Sequence, residues 1–209
     1  MARDRGAACK ICRRARTKLF LKGERCYTVK CAIEARPGVL PGSQPNRRLK
    51  KLSNYGTQLQ EKQKLRKTYG VLEHQFRHYY ELAKKHPVTG EALFQILESR
   101  LDNLVYRMGF GSSRDQARQM VSHGHFLLDG KKASIPSMLV KPGSKLTLKE
   151  GSKVQKRIQG NYVNAASRGI PVWLSVDGTS LAGTYTRMPS RTELEMDIQE
   201  NLVVEYYSR

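Results

Sequence analysis

The chain has 209 residues, with 38 Lys and Arg against 18 Asp and Glu, and a formal net charge of +20 at pH 7. This length is enough for one or two domains with a buried core, and no apolar run approaches the ~18 residues of a membrane span. A small domain needs a net charge of only about 2–8 to stay soluble, so the excess predicts a polyanionic partner. An anionic membrane is a weaker alternative because no basic helix carries an apolar anchor face.

The positive charge is concentrated in the N-terminal third of the chain. Residues 1–70 hold 19 basic and 4 acidic side chains, whereas residues 177–209 hold 3 basic and 6 acidic ones. We therefore expect the basic part to face the partner and the acidic tail to face protein or solvent. The first residues lack the apolar core of a secretory signal, so the chain is expected to stay in the cytoplasm, where it is made.

Every cysteine lies within residues 9–31, in a C-x2-C pair followed after thirteen residues by a C-x4-C pair. The four are Cys9, Cys12, Cys26 and Cys31. Two close pairs on short turns can point four sulfurs at one tetrahedral ion, so the pattern predicts a structural Zn²⁺ site. An iron–sulfur cluster uses the same ligands. Free thiols or disulfides are the remaining alternatives, although a reducing compartment disfavours disulfides.

The segment between the two cysteine pairs predicts a short hairpin that turns at Gly23. This arm has few apolar side chains, so metal binding would supply its folding energy. We expect a rigid, non-catalytic clip that presents its flanking basic residues to phosphate. The candidate contacts in the arm are Arg13, Arg14 and Arg16.

A Pro- and Gly-rich stretch follows the arm and predicts a linker over residues 36–54. It contains the sequence RRLKK, and a basic run on an extended segment suits the backbone of a nucleic acid. The candidate contacts there are Arg47, Arg48, Lys50 and Lys51.

Residues 57–85 have the apolar spacing of helices, with a stripe through Leu65, Tyr69, Leu72 and Phe76. Gly70 is expected to divide the stretch into two helices. Basic residues surround the stripe and are further candidate contacts, namely Lys62, Lys64, Arg66 and Lys67.

Residues 91–108 predict one amphipathic helix that ends at Gly109. A second helix follows, with Ser113 and Gln116 as a capping box. Each helix has two arginines on one side, and we expect all four to contact phosphate. These are Arg100, Arg107, Arg114 and Arg118. The alternative is that they form surface ion pairs with Glu98, Asp102 and Asp115.

The dipeptide Asp129-Gly130 predicts a tight hairpin, which places Lys131 and Lys132 just beyond the turn as further candidates. Residues 91–150 therefore predict two helices packed on a small twisted sheet. Arginines and lysines converging on one groove would suit the RNA backbone at a junction better than the DNA major groove. Beyond this region we expect a basic helix over residues 153–168, two more strands, and a short acidic helix before the apolar run 202–204.

Three long strings resemble the bacterial-type family of small-subunit ribosomal protein four. They are YGTQLQEKQKLRKTYGVLEHQFRHYY, LESRLDNLVYRMGFGSSRDQARQMVSHGHFLLDGKKASIPS and the ending VVEYYSR. The resemblance covers almost the whole chain, and the cysteine spacing is similar to that of the metal-binding branch. It implies an α+β fold, in which a helical domain contains an inserted α/β RNA-binding domain and is preceded by the four-cysteine arm.

The resemblance also implies domain limits. The arm and linker would cover residues 1–45, and the helical domain residues 46–90 plus about 185–209. The α/β domain would cover residues 91–184, with the RNA-binding motif at about 98–162. One departure is visible, because the linker reads LPGSQPN where the family usually has a P-P-G-Q-H-G pattern. Any RNA contact that the family makes through a histidine there is therefore absent.

By resemblance, the function is that of a structural, non-catalytic constituent of the small ribosomal subunit. Such proteins bind small-subunit rRNA at a multi-helix junction of the 5′ domain and nucleate assembly of the subunit body. They lie beside small-subunit proteins three and five, near the channel through which mRNA enters, and with proteins five and twelve they affect decoding accuracy. Some repress translation of their own message. The subunit could be bacterial or organellar.

Two other functions compete with this one. An RNA-modifying enzyme could carry the same small RNA-binding domain as an appendage, but the chain has no P-loop pattern and no nucleophile with a matching base. A regulator that binds mRNA or transcription complexes is compatible with the ribosomal role and could be a second activity.

Overall fold

The computed structural model describes residues 6–42, 51–165, 168–194 and 196–209. The chain forms two compact units. The first comprises Met1–Leu93 and Met196–Arg209, and the second comprises Phe94–Glu195. Among the described residues, no helix is long and apolar enough to cross a membrane.

The first unit is helical. Its helices are α1 (Ala8–Ala15), α2 (Asn54–Thr68), α3 (Glu73–Ala83), the first part of α4 (Thr89–Glu98) and α8 (Glu200–Tyr207). Gly70 lies between α2 and α3 at φ +63°, so the predicted break is confirmed. The left-handed conformation there costs a glycine little.

The core of the helical unit is aromatic. Phe76 is fully buried and Tyr80 is 3% exposed, and the Tyr207 ring of α8 stacks on the Tyr80 ring at 4.6 Å between centroids. The C-terminal apolar run is thus part of α8 rather than a segment that follows a helix. Leu72 is 37% exposed, so its predicted place in the core stripe is wrong. It precedes α3 as the N-cap residue, where the helical period does not apply.

The cysteine arm differs from the predicted hairpin. The first pair lies on α1, and the second begins in a 3-10 helix, Gly23–Tyr27. Gly23 opens that helix at φ +62° instead of turning a hairpin. The described part of the arm contains no strand. Cys9 and Cys12 are both on α1, whereas Cys31 lies beyond the end of the 3-10 helix.

The second unit packs helices on a five-stranded antiparallel sheet of order β2-β1-β3-β5-β4. Its helices after α4 are α5 (Leu101–Arg107), α6 (Arg114–Ser122) and α7 (Gln155–Ala165). Its strands are β1 (Phe126–Leu128), β2 (Lys131–Ala133), β3 (Lys145–Leu148), β4 (Leu174–Asp177) and β5 (Ala182–Tyr185). A 3-10 helix, Arg191–Glu193, follows the sheet.

The single helix predicted over residues 91–108 is wrong, because α4 and α5 are separate. Arg100 forms an isolated antiparallel bridge with Leu139. The Leu101 N–H donates to Met138 O at 2.9 Å, and the Asp102 N–H donates to Pro136 O at 3.1 Å. These bonds replace helical ones, so a distant loop interrupts a continuous apolar period.

The hairpin predicted at Asp129-Gly130 is confirmed. Both residues have positive φ, +48° and +78°, as a two-residue type I′ turn requires. Ser113 caps α6 by accepting from the Gln116 N–H at 3.3 Å, but the Gln116 side chain accepts from the Ser112 N–H instead of closing a full capping box. Trp173 is fully buried in the core of this unit.

Candidate nucleic-acid interface

A buried carboxylate holds two of the predicted arginines. The Asp102 oxygens accept from Arg100 Nε at 3.0 Å, from Arg100 Nη2 at 2.7 Å and from Arg118 Nη1 at 2.7 Å. Arg100 is 1% exposed and Arg118 is 9% exposed. A buried guanidinium needs such a paired, hydrogen-bonded partner. Arg100 therefore fixes the junction between α4 and α5, and its guanidinium is not presented at the surface.

A second buried carboxylate orients Arg107. Glu98 is fully buried, and its oxygens accept from Arg107 Nη2 at 2.7 Å and Nε at 3.0 Å. The same carboxylate accepts from the side-chain amide of Asn103. Arg107 keeps 21% of its side chain exposed. The Glu98 carboxylate thus holds one edge of the Arg107 guanidinium, while another part of the side chain stays exposed, as bidentate pairing allows.

The side-chain amide of Asn103 links the Glu98 carboxylate to Arg114. Its Oδ1 accepts from Arg114 Nε at 2.8 Å, and the Arg114 guanidinium carbon lies 4.6 Å from the centroid of the Tyr106 ring. Arg168 lies on the same ring at 5.0 Å. Arg168 is not among the contacts predicted from the sequence, which placed it at the end of a basic helix over residues 153–168. The helix is shorter, since α7 ends at Ala165 and Arg168 lies beyond it.

The loop between α5 and α6 is tightly packed. A Cβ on Gly111 would lie 2.9 Å from the Ala117 Cβ and 3.1 Å from its backbone. Asn161 of α7 donates to Phe110 O at 2.9 Å. These interactions fix the loop that leads into Arg114, the first residue of α6.

The hairpin presents both of its predicted lysines. Lys131 and Lys132 are exposed on β2. The side chain of Lys132 runs past Gly124, where a Cβ would lie 2.6 Å from its Cε. The hairpin therefore places two amino groups in solvent, where they are available to an anion.

The basic residues of α2 are less exposed than their predicted positions around the apolar stripe indicated. Lys62 is 3% exposed. Its Nζ lies 2.8 Å from Glu73 Oε1 and 4.5 Å from the centroid of the Tyr206 ring. Lys64 pairs with Glu61 at 2.5 Å. Lys62 thus stabilises the contact between α2 and α8, because a buried ammonium requires both its ion pair and its aromatic neighbour.

Arg66 and Lys67 are both half-buried on α2. Arg66 donates from Nη1 to Val71 O at 3.1 Å, and two of its nitrogens donate to Gln63 Oε1. The Arg66 guanidinium therefore closes the turn that ends α2.

In the arm, Arg13 folds back on the chain, while Arg14 and Arg16 are exposed. Arg13 donates from Nε to Val39 O at 3.0 Å and from Nη2 to Leu40 O at 3.2 Å. In the basic run, Lys51 is exposed. The other three predicted contacts of that run, Arg47, Arg48 and Lys50, lie outside the described residues.

All four cysteines line one small pocket of the arm. Backbone N–H groups at Leu19 and Lys22 donate to the sulfurs of Cys12 and Cys26. Burial raises the pKa of both thiols above the ordinary value, and these hydrogen bonds offset part of the rise. Over the residues that the structure describes, no group of three or more His, Cys, Asp or Glu side chains has an arrangement that could hold a metal ion. The donor set suits zinc, but the sulfurs are not arranged as a closed site.

Two family models match consecutive parts of the chain. Residues 3–98 match the family described as ribosomal protein S4/S9 N-terminal domain, and residues 99–146 match the S4 domain. Small ribosomal subunit protein uS4 of Acetivibrio thermocellus is 54% identical over 210 residues, covering 100% of both chains. The proteins of that name from Citrifermentans bemidjiense and Thermodesulfovibrio yellowstonii are 52% and 49% identical, again over 100% of both chains. With full-length identity of this degree, the chain belongs to the ribosomal protein S4 family.

Proposed function

We propose that this chain is a structural component of the small ribosomal subunit in the cytoplasm and binds small-subunit rRNA directly. The main support for this proposal is the set of arginines that buried carboxylates hold in the second unit. Two buried carboxylates, Glu98 and Asp102, hold Arg107 and Arg118 in fixed orientations. The net charge of +20 supplies the long-range attraction to a polyanion.

The buried acids act by preorganisation. A flexible arginine loses side-chain entropy when it binds a phosphate, whereas one already fixed by a carboxylate loses less. We therefore divide the predicted arginines and lysines by exposure. Arg100 and Lys62, 1% and 3% exposed, position their neighbours. The side chains with more exposed surface bind phosphate, namely Arg107, Arg114, Lys131 and Lys132. Arg118 is 9% exposed and bound to Asp102, and we expect it to contact phosphate through the part of its guanidinium that Asp102 does not cover.

Affinity should come mainly from phosphate neutralisation, and selectivity from RNA shape. The test is binding of the full chain to the 5′ domain of small-subunit rRNA and to a size-matched RNA helix, over a range of salt concentrations. We expect steep salt dependence and tighter binding to the 5′ domain. Equal affinity for the two RNAs at moderate salt would exclude a specific rRNA binder.

The residues that bind phosphate can be tested in the same assay. Replacing Arg114 and Arg118 by Ala should lower the salt slope by about 0.7–0.9 for each phosphate that is no longer neutralised. Arg187→Ala is the matched control, because Arg187 is exposed and paired with Glu193 in the acidic part of the chain. An unchanged slope in the double variant would remove both arginines from the interface.

The position in the subunit is a finer proposal that rests on family resemblance. We place the chain at a multi-helix junction of the 5′ domain, beside small-subunit proteins three and five and near the path of the mRNA. There it nucleates the subunit body and, together with proteins five and twelve, influences decoding accuracy. Omitting the protein from a reconstitution of the small subunit should block assembly of the body. Repression of its own message is tested separately, by adding the protein to an extract that translates this message and measuring whether translation falls.

We also propose that the four cysteines bind one Zn²⁺. The pocket that they share and the backbone N–H donors at Cys12 and Cys26 support this. Bound zinc would cross-link the arm, and the sulfurs would draw together around it. Elemental analysis and a visible spectrum of anaerobically purified protein should show one zinc per chain and no colour. Iron with sulfide and a brown absorbance would identify a cluster instead, and no metal would leave the cysteines as thiols.

A further inference from the structure

We propose that Arg168 is a further RNA-binding residue, which together with Arg114 beside the same Tyr106 ring binds one backbone phosphate as a clamp. The inference rests on the proposed function, since it assigns one phosphate site of the same interface. It adds a residue that lies outside helix α7 and beyond the S4 domain match, which ends at residue 146.

The two guanidinium groups share one aromatic ring. Their central carbons lie 4.6 Å (Arg114) and 5.0 Å (Arg168) from the Tyr106 centroid. The two charges are therefore closer together than the ~10 Å over which 0.1 M salt screens charge. A phosphate close to both groups would interact favourably with each charge.

Neutral groups hold Arg168 in place. Its Nη1 donates to Ser112 O and its Nη2 donates to Gly111 O, both at 3.3 Å. Within the described residues, no carboxylate lies at salt-bridge distance from Arg168, whereas Asp102 and Glu98 neutralise other arginines of this unit. Carbonyl oxygens fix the orientation of a guanidinium without cancelling its charge. Arg168 is thus oriented and still fully cationic toward a ligand.

The groups that hold Arg168 are themselves hydrogen-bonded. Ser112 N–H donates to the Gln116 side chain at 2.6 Å, and Asn161 donates to that same Gln116 oxygen at 3.1 Å. The clamp is consequently assembled before any ligand arrives, which reduces the entropic cost of binding.

A phosphate fits these groups better than a base does. Tyr106 is 8% exposed, so its ring is covered and is not available to a base as a stacking surface. A guanidinium offers N–H donors only and matches the paired oxygens of a phosphate. A carboxylate of a neighbouring protein has similar chemistry, but the net charge of +20 favours the polyanion.

The test uses the full chain and the 5′-domain RNA. Arg168→Gln, Arg114→Gln and the double variant remove the charges, and Arg157→Gln removes an exposed charge of α7 as the control. Each single clamp variant should weaken binding roughly tenfold at 0.1 M salt. Because one phosphate is shared, the double variant should lower the salt slope by about 0.7–0.9, no more than either single variant. Ethylation of one phosphate should inhibit the wild type and have no further effect on either variant.

The outcomes separate the clamp from the proposed function. If the wild type does not prefer the 5′ domain, the proposed function fails, and the slopes on the RNA that it does bind still test the clamp. If the wild type binds and Arg168→Gln matches it, the clamp is refuted. Additive decreases of the slope in the double variant refute a shared phosphate. Normal RNA binding together with impaired binding to a neighbouring ribosomal protein would assign the clamp to a carboxylate and overturn it.

A structural role for Arg168 is distinguished by Arg168→Lys. Lysine keeps the charge but cannot reproduce the planar packing on Tyr106 or the paired hydrogen bonds to the two carbonyls. We expect this variant to keep the wild-type salt slope, even if its unfolding midpoint in urea falls. A slope as low as that of Arg168→Gln would show that the residue acts only by holding the loop, and would overturn the proposal.

Discussion

Replacing Asp102 by Asn is the sharpest test of how the interface is built. Asp102 accepts three hydrogen bonds from two arginines, two of them at Oδ2. Asparagine keeps one acceptor oxygen and puts an N–H₂ donor in place of the other. The two donors at Oδ2, one each from Arg100 and Arg118, would then face a donor, and Arg100, which is 1% exposed, would lose the charge of this carboxylate.

Breaking a buried ion pair by removing one partner costs about 3–5 kcal/mol. We expect this range for Asp102→Asn, because Asp102 and Arg100 have side chains only 7% and 2% exposed. Replacing all three members together, Arg100→Met, Asp102→Leu and Arg118→Met, should recover most of this stability, since matched apolar residues are often as stable as a buried ionic group. Asp115→Asn makes the same charge change at an exposed position and should have little effect.

The assay is urea unfolding followed by fluorescence of Trp173, the single tryptophan of the chain, which is fully buried in the same unit. RNA affinity is measured in parallel, under conditions where the variant is folded. Removing a negative charge should tighten RNA binding if net charge alone decides affinity. We expect weaker binding, because Arg118 loses its anchor. A decrease in stability below about 1 kcal/mol, or tighter RNA binding, would refute the positioning role of Asp102.

Two further predictions concern the loop and the acidic tail. Gly111→Ala should destabilise the second unit by about 1–3 kcal/mol, because its Cβ would collide with Ala117; Gly160→Ala, in an open position of α7, should instead stabilise it by about 0.4–1 kcal/mol. Equal effects of the two alanines in the same fluorescence assay would contradict the packing argument. Hydrogen bonding from Arg187 lowers the pKa of Glu193 to about 2, so the stability that this carboxylate contributes should be present above pH ~4.5 and be lost as the pH falls toward 2. Arg187→Gln should raise that pKa toward its ordinary value, measured by NMR titration of the carboxyl carbon, and an unchanged midpoint would exclude the pairing.

Much of the fold follows from local rules that a sequence carries. The division at Gly70 and the turn at Asp129-Gly130 depend on backbone conformations that only certain residues adopt cheaply. The N-cap of α6 at Ser113 depends on a side chain three residues from its donor. Such interactions span a few residues, so they can be predicted without knowing what else is nearby.

Whether a charged residue is buried or exposed depends on partners that are distant in the sequence. Spacing placed Arg100 and Lys62 on helical faces, but burial of Arg100 requires the carboxylate of Asp102 and the loop bridge at Leu139. That bridge also divides a helix whose apolar period runs on without interruption. The cost of burying a charge is decided by what surrounds it in three dimensions, and periodicity contains no such information.

The amino-acid sequence alone therefore establishes that this chain is basic, α+β, and built around an arginine-rich pair of helices. Tertiary packing decides which arginines are buried against a carboxylate, such as Arg100, and which keep part of the guanidinium exposed, such as Arg107. It also brings Arg168 to the same ring as Arg114, although 54 positions separate them. Charge count and helical period are properties of the chain, whereas the position of a guanidinium relative to an acid or a ring exists only once the elements have packed.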